Sequence, residues 1–136
     1  MGIFNDIQNA LNNKLSSIPL IPKIFYSNVD TDDNRAIPTH GIPYLRPTLM
    51  PANSTVASLD GKDYHRGIYQ IDIYTQLKKG SAPILIIADQ IRTAFKNADL
   101  VSNSNIIHIT SISISNQRRD ESFWTCHVQI NYFCVA

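Results

Sequence analysis

Four histidines, His40, His65, His108 and His127, and the run Asp30, Asp32, Asp33, Asn34 are the residue types that could hold a metal ion or move a proton. A zinc site needs ligands at short, regular spacings, and no histidine stands at such a spacing from a cysteine or another histidine. His108 and His127 are placed to meet across a hairpin of the last two strands, where a pair of neutral histidines on a solvated face is the plain account. The acidic run has the carboxylate density of a calcium loop. It lacks the central glycine and the glutamate at position twelve, so it reads as a solvated turn. Lys79-Gly80-Ser81 precedes an apolar helical stretch, as a phosphate-binding loop does, but without that loop's first glycine or its spacing. Arg118-Arg119-Asp120-Glu121 is a charged turn, either solvated or set against a neighbouring subunit. Serines are plentiful, yet there is no Gly-x-Ser-x-Gly elbow and no candidate nucleophile with a locally specified base. The expectation is no catalytic residue, no metal and no cofactor.

The remaining composition narrows the partners. Twelve Lys and Arg against eleven Asp and Glu leave a formal charge of +1, so no overall field concentrates nucleic acid or anionic lipid. Basic stripes interleaved with aromatics are also missing, which argues against a specific nucleic-acid partner. The opening MGIFNDIQNALNNKL has neither a basic leader nor a long apolar run, so no signal or membrane span is expected. Asp6 stands where myristoylation wants Ser or Thr, and Cys134 is third from the end where prenylation takes the fourth. Cys126 and Cys134 share the parity of one predicted strand, roughly 26 Å apart at strand rise, too far to bond. They read as reduced thiols packed like small hydrophobes, which favours folding inside the cell.

The elements that must position all this follow from periodicity. The 136 residues are one domain's length, 1–136, enough for a single core. Phe4, Ile7, Leu11, Leu15 and Ile18 recur at three and four residues and predict a helix over about 3–17, ended by Pro19. Lys23 to Ser27 is a short strand, followed by a polar loop, NVDTDDNRAIPTHG. In GIPYLRPTLMPAN the prolines at 43, 47 and 51 share one parity, so their missing donors lie along one edge of an extended strand. That edge resists further sheet growth.

After a second loop, NSTVASLDGKDYH, Tyr69, Ile71, Ile73, Thr75 and Leu77 take one face of a strand from Gly67 to Leu77. Gln70, Asp72 and Gln76 take the other, interrupted only by Ile68 and Tyr74. Lys78-Lys79-Gly80 makes the turn, Ser81 is the expected N-cap, and Pro83 falls in the first helical turn. Ile84, Ile87, Ala88, Ile91, Ala94 and Phe95 then mark a helix over about 82–97. Asn105 to Ser115 is a strand whose apolar parity switches near Thr110, the mark of a bulge. FWTCHVQINYFCV is a strand with Trp124, Cys126, Val128, Ile130, Tyr132 and Cys134 on one face, expected to form a hairpin with its predecessor. The fold class is α+β: an antiparallel or mixed sheet of about four to five strands packed by two helices, order α-β-β-β-α-β-β.

Two features are left for contact with other proteins. Tyr44, Arg46, Thr48 and Met50 share one face of the proline strand, either a docking face of the types enriched at interfaces or an ordinary half-exposed edge. The loops 28–41 and 52–66 are long for a chain of this size.

PYLRPTLMP, then RGIYQIDIYTQLKKGSAPILIIADQIRTAF, then FWTCHVQINYF together resemble the phage tail terminator family of long-tailed phages, over nearly the whole chain. The matching residues are Arg66, Gly67, Gln70, Gly80, Ala88, Asp89, Ile91, Phe95, Trp124 and Val128, with the Met-Gly-Ile-Phe-Asn-Asp-Ile opening. The resemblance implies a structural protein without catalysis. It implies a homohexameric ring at the head-proximal end of the tail tube that halts the tube protein's polymerisation and presents a docking surface to a head-completion or neck protein. It places the protein in the virion tail, assembled in the host cytoplasm. Residues expected at such interfaces are Asp32, Asp33, Arg35, Tyr44, Arg46, Arg66, Arg118 and Arg119. A closed ring of heterologous contacts needs two complementary patches per protomer, and a near-neutral chain suits a subunit that stays a monomer or weak oligomer until a tube end templates it. The alternative is a head-tail connector or neck protein; a small hydrolase or transferase and a nucleic-acid module are the rivals from other classes.

Overall fold

A computed structural model describes residues 2–19, 21–24, 26, 43–52, 55–56, 63–78, 80–96, 98–102, 105–120 and 123–135. The elements are α1 (Ile3–Ser16), β1 (Lys23–Ile24), β2 (Tyr44–Pro51), β3 (Thr55–Val56), β4 (Asp63–Gln76), α2 (Ala82–Phe95), β5 (Asp99–Ser102), β6 (Asn105–Ile114), β7 (Arg118–Asp120) and β8 (Phe123–Val135). The loop 28–41, with Asp30, Asp32, Asp33, Arg35 and His40, lies outside the described residues.

The class is α+β with two helices, as the patterning predicts, but the strand count is a correction. Eight strands are present among the described residues, with β1-β2-β4-β8-β6-β5 in spatial order, β3 beside β4 and β7 beside β8. The three additional strands, β3, β5 and β7, run two to four residues, too short to leave a period-two signature. β4 also begins at Asp63 rather than Gly67, because Asp63-Tyr64-His65-Arg66 is polar enough to read as loop.

β8 is the central strand. β4 pairs along its full length, from Tyr64 opposite Val135 to Gln76 opposite Phe123. β6 and β7 line its other side end to end. All pairs are antiparallel except β1 with β2. The expected bulge falls between Ile109 and Ser111. Because one face of β4 and β8 is covered, Tyr69, Ile71, Ile73, Cys126, Val128, Ile130, Tyr132 and Cys134 alternate into a core shared with Ile7, Leu11 and Leu15 of α1 and Ile84, Ile87, Ile91 and Phe95 of α2. Phe4 departs from the predicted stripe: it is 46% exposed, and Asp6 is buried instead. Tyr69 ties the layers together by donating its hydroxyl hydrogen to Asn12 Oδ1 of α1.

At the KKGS join the chain turns through Lys78 and Gly80, both in the left-handed region (φ 64° and 77°), where only glycine sits without steric cost. Ser81 occupies the N-cap position but makes no side-chain cap bond, and its backbone is already helical. On the proline strand, the Ala52 N–H donates to the Arg66 carbonyl at 2.9 Å. That parity aims the even-numbered N–H groups of β2 at β4 and turns Pro47 and Pro51 outward. β1 reaches only Tyr44 and Leu45, so the outward side beyond them is the guarded edge that the spacing predicts.

Candidate interaction surface

Both helices pack on one face of the sheet, which leaves the other to carry β2's even-numbered residues, β4's even-numbered residues and β8's odd-numbered ones. Its middle is a strip of amides and carboxylates that satisfy one another. Gln129 Nε2 donates to Gln70 Oε1 at 3.0 Å, and Gln70 Nε2 donates to Asp72 Oδ1 at 3.0 Å. Asn131 Nδ2 donates to Ser111 Oγ at 2.8 Å. Arg46, Asp72 and His127 stand abreast across β2, β4 and β8.

Aromatic groups close both ends of the strip. Tyr44 stacks on Tyr74 with ring centroids 4.4 Å apart, and Phe123 meets both edge-on at 5.3 and 5.9 Å. At the far end Phe133 stacks on Tyr64 at 5.3 Å and on His108 at 4.7 Å, and His108 Nδ1 lies 2.8 Å from Asp99 Oδ1. Such a stiff face, aromatic at its ends and polar between, has the composition of a protein-contact surface. In the sequence Tyr74 is only an interruption in a polar face, and the alternation of β8 gives Phe123 and Phe133 no role; cross-strand register is what assembles them.

The predicted contact residues divide. Arg46, Arg66 and Arg118 lie on the open face, Arg66 and Arg118 exposed and Arg46 half-buried. Arg119, on β7, is exposed with the opposite parity. Tyr44 is buried, only 4% exposed, because Tyr74 and Phe123 enclose it. Asp32, Asp33 and Arg35 lie outside the described residues.

The histidine pairing is a second correction. β7 and the break at 115–117 displace the simple hairpin, so His108 stands opposite Phe133 and His127 opposite Asp72. The His127 N–H donates to Ser115 Oγ at 2.9 Å. His65 is buried on the helix side with Phe4 edge-on at 5.7 Å.

Both cysteines are free and buried. Burial pushes the Cys126 thiol up to about 11, with the Asp72 charge adding to it. Burial likewise raises Cys134, with Asp6 adding. At neutral pH both are therefore thiols, the unreactive form. Burial also pushes Tyr132 up to about 12, with Cys134 adding. Among the described residues no three His, Cys, Asp or Glu side chains group to hold a metal ion, and no helix is long and apolar enough to cross a membrane. The depressions are shallow: one of about 350 Å³ on the open face beside Arg66, Ile68 and Phe133, and an apolar one of about 480 Å³ between Ile18, Pro19 and the Ile86 side of α2.

The molecule is thus a two-layer α+β scaffold whose open face carries mutually bonded amides between two aromatic groups. A family model described as phage tail terminator protein matches residues 6–132, and the chain belongs to that family. It is a structural component of a phage tail, in a structural rather than an enzymatic family. One solved structure of the same fold is 20% identical, with 97% of this chain and 92% of that one covered and a TM-score of 0.70. No curated protein matches.

Proposed function

We propose that this chain is the subunit of a homohexameric ring at the head-proximal end of a tail tube, which ends polymerisation of the tube protein and offers a docking surface to a head-completion or neck protein. The family match across 6–132 carries the reading. The open face, with Arg46, Arg66 and Arg118 around aromatic ends, supports contact with other tail proteins. Arg119, Tyr44 and the loop residues Asp32, Asp33 and Arg35 belong to the same proposal, Tyr44 as a support for the face rather than a direct contact. The chain acts as one domain, performs no catalysis, engages neither membrane nor specific nucleic acid, and joins the tail in the host cytoplasm.

The deciding experiment is electron microscopy of particles assembled without this protein. Overlong tail tubes are the expected result. Tubes of normal length that fail to join heads would assign the chain to the connector or neck instead. Light scattering of the pure protein is expected to give a monomer or weak oligomer; a stable hexamer in dilute solution would remove only the template-dependent part, since ring closure needs just two complementary patches per subunit.

A further inference from the structure

The two lateral edges of the sheet are built differently. β2's outer edge is interrupted at Pro47 and Pro51. At the other end β5 covers β6 only over Asn105 to His108, and the Ile109 N–H donates to the Ala98 carbonyl at 3.2 Å. Past the bulge, among the described residues, no strand pairs with β6 on the side away from β8. The Ser115 N–H donates to the His127 carbonyl at 2.9 Å, so by parity Ser111 and Ser113 turn their backbone groups toward β8. Ile112 and Ile114 turn theirs outward. Neither is a proline, and among the described residues neither has a backbone partner on that side. Unprotected edges of this kind accept added strands.

A cleft of about 170 Å³ runs along this edge, lined by Ile109, Thr110, Ser111 and Ile112 on the strand and by Arg92 and Lys96 on α2. Both cations are exposed. They also complement the C-terminal end of α2, but they stand where the helix-side residues of an added strand would project. The nearby carboxylate, Asp99, is engaged by His108.

We propose that the β6 edge from Thr110 to Ile114 receives an extended segment of another tail protein, whose backbone continues the sheet and whose alternate side chains are acidic and meet Arg92 and Lys96. Charge complementarity selects this occupant. A neighbouring copy does not fit as the added strand through its β2 edge, because the missing donors at Pro47 and Pro51 break the ladder. The inference rests on the edge and its two cations, and holds whether or not the chain forms a ring.

The probe is a labelled seven-residue peptide alternating valine and glutamate, with a valine-lysine version as its counterpart. Binding is read by fluorescence anisotropy, and protection of the Ile112 and Ile114 amides by hydrogen exchange. The glutamate peptide is expected to bind saturably, to protect both amides, and to exceed the lysine peptide by about tenfold or more, a difference of about 1.4 kcal/mol. Arg92→Glu with Lys96→Glu, both on the exposed surface, is expected to reverse that preference. Ile114→Pro removes one outward donor at a position 37% exposed and is expected to abolish binding. If that variant does not fold, the charge reversal still decides. Equal binding of both peptides, binding without protection at Ile112 and Ile114, or protection of those amides by self-association without peptide would each overturn the proposal.

Discussion

Replacing Gly67 by alanine tests the packing at the centre of the scaffold. Gly67 pairs with Tyr132 on β8 and Pro51 on β2. A Cβ built there lies 2.6 Å from the Met50 carbonyl oxygen, 2.7 Å from the Tyr132 hydroxyl oxygen and 2.9 Å from Pro51 Cα. Two of the three atoms are backbone, so relief requires β2 to shift against β4, and the cost belongs at the upper end of overpacking, about 3 kcal/mol. Alanine recovers about 1 kcal/mol by restricting the unfolded chain, leaving a net loss of about 2 kcal/mol. An unfolding entropy of about 2.1 cal/mol/K per residue over 136 residues makes this a fall in Tm of about 7 °C by circular dichroism. Tyr132→Phe separates the contacts. The Tyr132 hydroxyl is buried with no partner among the described residues, so its removal is expected to raise stability by about 1 kcal/mol, yet only partly to rescue Gly67→Ala because the backbone atoms remain. A Tm within 2 °C of wild type for Gly67→Ala would refute the close approach of β2, β4 and β8.

Other expectations are simpler to state. Because the Ser81 side chain caps nothing, Ser81→Ala should cost less than about 0.5 kcal/mol in urea unfolding, against about 1 kcal/mol for a working cap; the larger loss would contradict the geometry. Tyr69→Phe, which deletes the bond to Asn12, should cost about 1 kcal/mol by the same assay, and no loss would mean the bond does not hold α1 to the sheet. For pH, Cys126 rises from 9.0 to about 11 and Tyr132 from 10.0 to about 12 on folding. Between those values the native chain holds more protons than the unfolded one, so stability present below pH 9 declines as pH rises through 11 and then 12. Cys126 accounts for about 3 kcal/mol of that decline, and Cys126→Ala should flatten the slope between pH 9 and 11; an unchanged slope would show the thiol is not desolvated.

Periodicity exposes whatever a covered face imposes. β4 and β8 were legible because helices bury one side, and so were the stripe on α2 and the parity switch at Thr110, since each records burial residue by residue. Pairing leaves no such record. That β1 lies parallel to β2 rests on a two-residue strand, and that His108 meets Phe133 instead of His127 depends on a three-residue strand and a break; none of these carries a pattern. Arg46 could be assigned a face from its own strand, but its alignment with Asp72 and His127, and its sharing of that face with Arg66 and Arg118, exist only once three strands are in register. Asp6 inside and Phe4 outside reverse composition alone: Phe4 lies half-exposed, edge-on against the buried His65.

The division of this sheet into surfaces constrains how it can be used. One face is sealed by helices, and one lateral edge beyond β1 is closed by prolines. Among the described residues, what stays available is an open face whose central amides are already bonded to each other and a segment of β6 whose outward backbone groups are not. A partner on the face gains by shape and by its aromatic rims, since the amides offer few unsatisfied bonds, whereas a partner on the β6 edge gains by backbone bonds that any extended sequence can supply. Specificity on the edge must then come from side chains, and Arg92 and Lys96 are the charges positioned to provide it. Contacts at the two places are therefore separable by substitution: charge reversal on α2 should leave contacts of the open face intact, and substitution of Arg46 should leave the edge intact, because Arg46 lies on the open face whereas Arg92 and Lys96 belong to the helix side.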